Sequence, residues 1–210
     1  MNGCPLSRRQ LLEMTLLGAA GLFLDPAGAG AQLLEREHRP TLDAPNLAEY
    51  PIAVPVRVSV DHPMAPSHFI ESVEVVLETD PVPEKGTYQF TPANGRAWVS
   101  FPMRSGAGGL LKAIATCSRH GRFVGTRELR VAGDGCASDL DAAAKDRLGN
   151  PKLRVLRAPQ VGEVVEVLAR LDHGSDTGLL LKAGRYVRVR SEFFLKEMHV
   201  YLGRQKISEF

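Results

Sequence analysis

Histidine and cysteine side chains recur along the chain at spacings that suit a metal site. His62 and His68 lie in "HPMAPSHF", Cys117 and His120 in "CSRH", and His38 precedes them in "EREHRP". Imidazole nitrogens and a thiolate together bind zinc, copper or iron. Each of these residues alone is typical of an ordinary loop histidine or a small buried hydrophobe. Together they take four of the 6 histidines in the sequence, which favours one shared site.

A second kind of chemistry is indicated by Cys136 in "GDGCASD", just after a predicted strand. Gly133 and Gly135 precede it, so an exposed thiol on a flexible segment is expected, as a covalent carrier needs. An incidental surface cysteine is the alternative. The intervening strand would separate Cys117 from Cys136 by on the order of 20 Å, whereas a disulfide needs Cα atoms within about 7 Å. Two separate roles are therefore expected.

Short runs that alternate apolar and polar residues predict β-strands throughout. Between residues 53 and 132 these runs are "AVPVRVSV", "FIESVEVVLE", "GTYQFTP", "RAWVSFPM", "LLKAIATC" and "GTRELRVA". Their spacing predicts an all-β fold, an immunoglobulin-like antiparallel sandwich. Such a sandwich can bring the loop that carries His62 and His68 to the same end as the hairpin that carries Cys117 and His120.

A second, smaller β-sandwich domain is predicted behind a polar, alanine-rich linker. The predicted boundaries are 32–137 for the first domain, 138–151 for the linker and 152–210 for the second domain, which contains "LRVLRAP", "GEVVEVLARL" and "FFLKEMHVYLG". This length gives only a few strands, so the domain is either truncated or dependent on the first for its core. The sequence leaves open whether residue 210 is a natural end.

Residues 1–31 have the features of an export signal. Arg8 and Arg9 form a twin-arginine pair before an apolar run from Met14 to Leu24, and "AGAGA" offers a cleavage site near Ala31. We therefore expect export to the periplasm by the twin-arginine route, with a retained N-terminal anchor as the alternative. The net charge of +2 predicts no nucleic-acid surface, and no membrane contact is expected after signal removal.

The metal-ligand segments resemble the superoxide reductase family (desulfoferrodoxin, neelaredoxin), in the family's order. The resemblance implies a mononuclear non-haem iron centre, with four histidines around the iron, an axial thiolate and one face open to superoxide. The implied ligands are His38, His62, His68, His120 and Cys117. The family has a lysine directly before its first histidine, whereas Glu37 stands there in this chain, so Arg36 or Arg39 would have to supply the positive charge.

A longer resemblance covers nearly everything after Asp43. "AVPVRVSVDHPM", "DPVPEKGTYQFTPANGRAWVSFPMR" and "ELRVAGDGCASD" resemble SoxY, the sulfur carrier of thiosulfate oxidation, and "GEVVEVLARLDHGSDTG" with "FFLKEMHVYLG" resembles SoxZ. The resemblance implies a SoxYZ fusion whose two domains pack on each other. It also implies cargo on Cys136 and partners such as c-type cytochromes or a quinoprotein dehydrogenase. The chain departs from the family because Asp134 interrupts the glycines and because a further domain follows Cys136.

The sequence therefore predicts a periplasmic carrier that holds sulfur or another covalent cargo on Cys136, with an iron site in addition. The alternative is a superoxide reductase-like enzyme. A binding module with neither chemistry is a third possibility, because the chain has no G-x-S-x-G, G-x-G-x-x-G or P-loop motif.

Overall fold

A computed structural model describes residues 26–133, 149–158 and 160–210. The twin-arginine pair, Cys136 and most of the predicted linker lie outside the described residues. Contacts divide the chain into a unit that ends at Arg36 and a unit from Glu37 to Phe210. Helix α1 (Pro26–His38) crosses this boundary, because its last two residues belong to the second unit.

Eight strands precede the segment around Cys136. They are β1 (Thr41–Asp43), β2 (Leu47–Ala48), β3 (Val54–Val60), β4 (Ile70–Leu77), β5 (Glu84–Phe90), β6 (Ala97–Met103), β7 (Gly109–Cys117) and β8 (Gly121–Val131). A short 3-10 helix, Pro92–Asn94, lies between β5 and β6. Six of these strands were predicted from alternation, whereas β1 and β2, of 3 and 2 residues, are too short to show a period.

The strands form two sheets with a shared apolar core. One sheet has the order β1-β3-β6, and the other contains β5-β4-β7-β8-β2. Side chains alternate across each strand, so β3 buries Val54, Val56 and Val58, and β7 buries Leu111 and Ala113. The two apolar faces exclude water from each other, which is the main stabilising contribution in such a fold.

Six further strands follow in the C-terminal part. They are β9 (Lys152–Val155), β10 (Val167–Arg170), β11 (Leu179–Lys182), β12 (Arg185–Arg188), β13 (His199–Leu202) and β14 (Gln205–Glu209). β9 pairs with β10 and β11 with β12 as two-stranded sheets. The β13–β14 hairpin instead extends the larger sheet, because Ser208 and Glu209 pair with Phe90 and Gln89 of β5.

The predicted all-β, immunoglobulin-like sandwich is confirmed, and described strands pair antiparallel apart from the parallel pair of β2 and β8. The predicted domain boundaries stay a prediction. Among the described residues, no helix has the length and apolar character that a bilayer crossing requires.

Candidate metal centre

Strand ends bring the five predicted ligands to one place in the second unit. His38 is the last residue of α1, His62 follows β3 and His68 precedes β4, while Cys117 ends β7 and His120 lies in the turn before β8. Cys117 faces inward because it continues the buried row of Leu111, Ala113 and Ala115 at period two.

Four imidazole nitrogens form a closed ring of short contacts. Nε2 of His62 lies 3.1 Å from Nε2 of His38 and 3.1 Å from Nε2 of His68. Nδ1 of His120 lies 3.1 Å from Nε2 of His68 and 2.9 Å from Nε2 of His38. A ring with these edges encloses a centre about 2 Å from each nitrogen, which is the length of a metal–imidazole bond.

The sulfur of Cys117 faces this ring. It lies 3.7 Å from Nε2 of His62 and 3.9 Å from Nδ1 of His120, which are opposite corners of the ring. The ligand atoms of His38, His68, Cys117 and His120 all lie within 4.8 Å of one another. In the described ranges Cys117 is a free cysteine. The donor set therefore fits a transition-metal ion held by four imidazoles and one thiolate.

The protonation pattern of His62 suits a metal ligand. Its Nδ1–H donates a hydrogen bond of 2.6 Å to the carbonyl of Pro63, because a carbonyl oxygen can only accept. The Nε2 lone pair of His62 is then left to face the ring. Histidines that bind metals are oriented in this way by a hydrogen bond from the other nitrogen.

Burial and the clustering of imidazoles lower the pKa of two of the histidines, which favours their neutral form. Burial is the largest cause that lowers the pKa of His62, with His38, His68 and His120 adding to it and the Pro63 carbonyl opposing it. The pKa of His68 is also lowered, mainly by loss of solvation and then by His120. Neutral imidazoles have the free lone pair that metal binding requires.

The surroundings leave one side of the cluster open. His38 is 0% exposed and Cys117 4%, and the ring of His38 stacks on Phe123 with centroids 4.6 Å apart. His68 is half-buried and His120 is exposed. A small molecule could therefore approach on the side of His68 and His120.

The sequence identified all five side chains of the cluster, and the structure brings them together. Sequence reasoning missed two residues of β8. Phe123 stacks on the ring of His38, and Gly125 has no side chain where the backbone of Pro40 passes. Phe123 and Gly125 are two residues apart on β8, and both are buried, so they face the core together. The predicted carrier residue Cys136 lies outside the described residues.

Comparisons with known proteins give two results. The family model described as "Sulfur oxidation protein SoxY" matches residues 27–136, which is slightly more than half of the 210-residue chain. The sequence matches none of the curated proteins.

Several solved structures resemble this chain over part of its length. A variant of superoxide reductase (neelaredoxin) from Ignicoccus hospitalis is 29% identical, covers 49% of this chain and 87% of its own, and has a TM-score of 0.45. Another structure of that protein is 30% identical, with 45% and 81% covered and a TM-score of 0.42. Reduced superoxide reductase (neelaredoxin) from Archaeoglobus fulgidus is 24% identical, with 45% and 90% covered and a TM-score of 0.38.

Proposed function

Because the chain belongs to the SoxY family of sulfur oxidation proteins, we propose that it is a periplasmic carrier with a second, metal-binding function. The carrier thiol is Cys136, and the family match ends on that residue. Export rests on the twin-arginine pair Arg8 and Arg9. A thiol at that position would hold sulfur or another covalent cargo and present it to partner oxidoreductases.

The C-terminal part serves as the SoxZ-like portion of the same chain. The support for this is the pairing of β14 with β5, which joins the end of the chain to the part that matches the family. Partners that exchange cargo or electrons would be periplasmic c-type cytochromes or a quinoprotein dehydrogenase.

The ring of four imidazole nitrogens is the observation that carries the metal-binding function. His38, His62, His68 and His120 would hold the ion with Cys117. Five donors exceed the four of a structural zinc site, and a mixed set of imidazoles and a thiolate suits iron. When bound, a ferrous ion supplies one electron at a site that small molecules can reach.

The chain's own residues prepare this chemistry. Cys117 would supply a thiolate to a bound metal, and its burial keeps the sulfur from bulk water. His62 is held in one tautomer by the Pro63 carbonyl. His68 is half-buried and His120 is exposed, so solvent reaches this side of the cluster.

A superoxide reductase-like activity is the second candidate, and the open side of the cluster favours it. In that reaction a bound ferrous ion would supply one electron and solvent two protons for the reduction of superoxide to hydrogen peroxide. A partner oxidoreductase must then return one electron for each turnover. Glu37 in place of the family's lysine makes this activity the less favoured of the two.

Two single substitutions separate the carrier from the metal site. Protein exported by its native route is tested for bound iron by metal analysis and visible absorption, and for thiol adducts by intact mass. Cys136→Ser should lose the adduct and keep the iron, whereas Cys117→Ser should lose the iron and keep the adduct. Adducts that persist in Cys136→Ser would refute the carrier assignment. Wild-type protein that takes up no iron, even with added ferrous ion, would refute the metal site.

A further inference from the structure

We propose that helix α1 is an arm that bound metal holds closed, because its last residue, His38, supplies one corner of the nitrogen ring. Metal loss releases His38 and the helix together, with Pro40 as the fixed point of the movement. This inference rests on the proposed metal site. It goes beyond that site by giving it control over the N-terminal segment, which contains the predicted cleavage site near Ala31.

Burial along α1 rises abruptly at its last residue. Residues 30–37 are exposed except for the half-buried Leu34, whereas His38 is 0% exposed. A helix of 13 residues is marginal in water by itself, and Gly28 and Gly30 weaken it further because glycine favours the unfolded backbone. We therefore expect the stability of α1 to depend on the buried side chain at its end.

Hydrogen bonds alone cannot satisfy the nitrogen ring. Each contact in the ring needs one N–H and one lone pair, because an imidazole N–H cannot accept and an unprotonated imidazole nitrogen cannot donate. Each N–H points to one neighbour, and Nε2 of His62 faces the ring with its lone pair, because its Nδ1–H donates to Pro63. Hydrogen bonds therefore satisfy at most two of the four contacts at once, whereas all four lone pairs can face one metal ion.

The ring opens most easily at His38, because strands flank the other three corners on both sides. His62 and His68 share a short loop between β3 and β4, and His120 lies in the tight turn between β7 and β8. His38 instead ends an exposed helix, and the buried Pro40, whose backbone packs against β8, follows two residues later. Opening the ring at His38 therefore moves the residues before Pro40 and leaves both sheets intact.

Metal binding and closure of the arm are linked thermodynamically. The released form keeps the other four donors of the cluster, so it still binds metal, but more weakly. The stack of His38 on Phe123 favours closure with or without metal, so metal changes the population of the released form rather than creating it. The factor by which metal lowers that population equals the factor by which His38 raises the metal affinity.

Limited digestion with trypsin tests the proposal on the full chain, either metal-free or loaded with cobalt(II), whose binding is followed in the visible spectrum. Mass spectrometry gives the rate of cleavage after Arg36, an exposed residue of α1, and after Arg204, in the exposed turn between β13 and β14. Cobalt should slow cleavage after Arg36 about tenfold or more, because digestion follows the population of the open form and one oriented ligand group has an effect of this size. Cleavage after Arg204 should change by less than about twofold.

Two variants separate the arm from a general effect of metal on stability. H38A should bind cobalt about tenfold or more weakly, and saturating cobalt should leave its cleavage after Arg36 unchanged. H120A is the matched control, because it also removes one imidazole of the ring but keeps His38, so saturating cobalt should still protect Arg36. The loss of cobalt affinity in H38A should match the protection of Arg36 in wild type within about threefold.

The possible results distinguish the arm from the metal site. Equal cleavage after Arg36 in metal-free and cobalt-loaded wild type would overturn the proposal, as would protection by cobalt that persists in H38A or disappears in cobalt-loaded H120A. Failure of wild-type protein to bind cobalt would refute the metal site itself and this inference with it. That result differs from cobalt that binds without protecting Arg36, which would refute the arm alone.

Discussion

Replacing Gly125 by alanine should weaken the proposed metal site without changing any of its five side chains. Gly125 lies in β8, opposite Ala113 of β7, and faces inward. A Cβ at this position would lie 2.9 Å from the carbonyl carbon of Pro40 and closer still to its oxygen. Pro40 is two residues from His38. The backbone that carries His38 can therefore approach β8 only because residue 125 has no side chain.

The size of the effect follows from this clash. Pro40 would have to retreat by on the order of 1 Å, because heavy atoms in contact sit roughly 3.5 Å apart. Overpacking of this kind costs about 1 to 3 kcal/mol of folding free energy. Because this displacement acts on the backbone that carries His38, we expect metal affinity to fall at least about tenfold, as for changes to groups that orient a ligand.

Two measurements check this expectation. Urea denaturation gives the loss in unfolding free energy, and competition with a chelator gives the affinity for ferrous ion. Thr126→Ala is the matched control, since Thr126 is the next residue of the strand and is exposed. A Gly125→Ala variant with wild-type stability and affinity would refute the claim that this close approach positions His38.

Two further predictions concern the sandwich itself. Leu111→Ala should lower the free energy of unfolding, measured by urea denaturation, by about 2 to 5 kcal/mol because Leu111 is 0% exposed. Leu110→Ala should lower it far less, because Leu110 is 47% exposed. Equal losses in the two variants would contradict the assignment of Leu111 to the core face of β7. Asp80→Asn should cost about 3 to 5 kcal/mol at pH 7 because it breaks the buried ion pair with Lys85, whereas Asp43→Asn on the surface should cost little. Burial by itself would raise the pKa of Asp80, but Lys85 and backbone N–H groups leave it lowered. The wild type should therefore lose its extra stability over Asp80→Asn as the pH falls below about 4, where Asp80 of the unfolded chain takes up a proton. A difference in unfolding free energy between the two proteins that stays constant down to pH 2 would contradict this reasoning.

Local pattern was enough to predict the strands of the sandwich and the residues of the cluster. The alternation in β3 and β7 is strict, because each strand has one face in the core. The side chains of the cluster could be predicted because imidazoles and thiols are uncommon and because the pairs His62–His68 and Cys117–His120 are closely spaced. Gly125 could not be predicted, because its role depends on contact with Pro40, far away in the sequence.

The C-terminal part shows where local pattern is insufficient. The sequence indicates strands there, but it does not specify which sheet they join. The hairpin of β13 and β14 pairs with β5, a non-local contact that no period encodes. β9 and β10 expose both of their faces, so their alternation carries little information about packing.

Strand β8 runs from the cluster towards the segment that the sequence assigns to the carrier thiol. The strand begins at Gly121, next to His120, and ends at Val131, which is about 33 Å away at the usual rise per residue. Cys136 follows Val131 by five residues, and a chain of that length spans at most about 18 Å. The described strand therefore leads away from the cluster before the chain reaches Cys136, which itself lies outside the described residues.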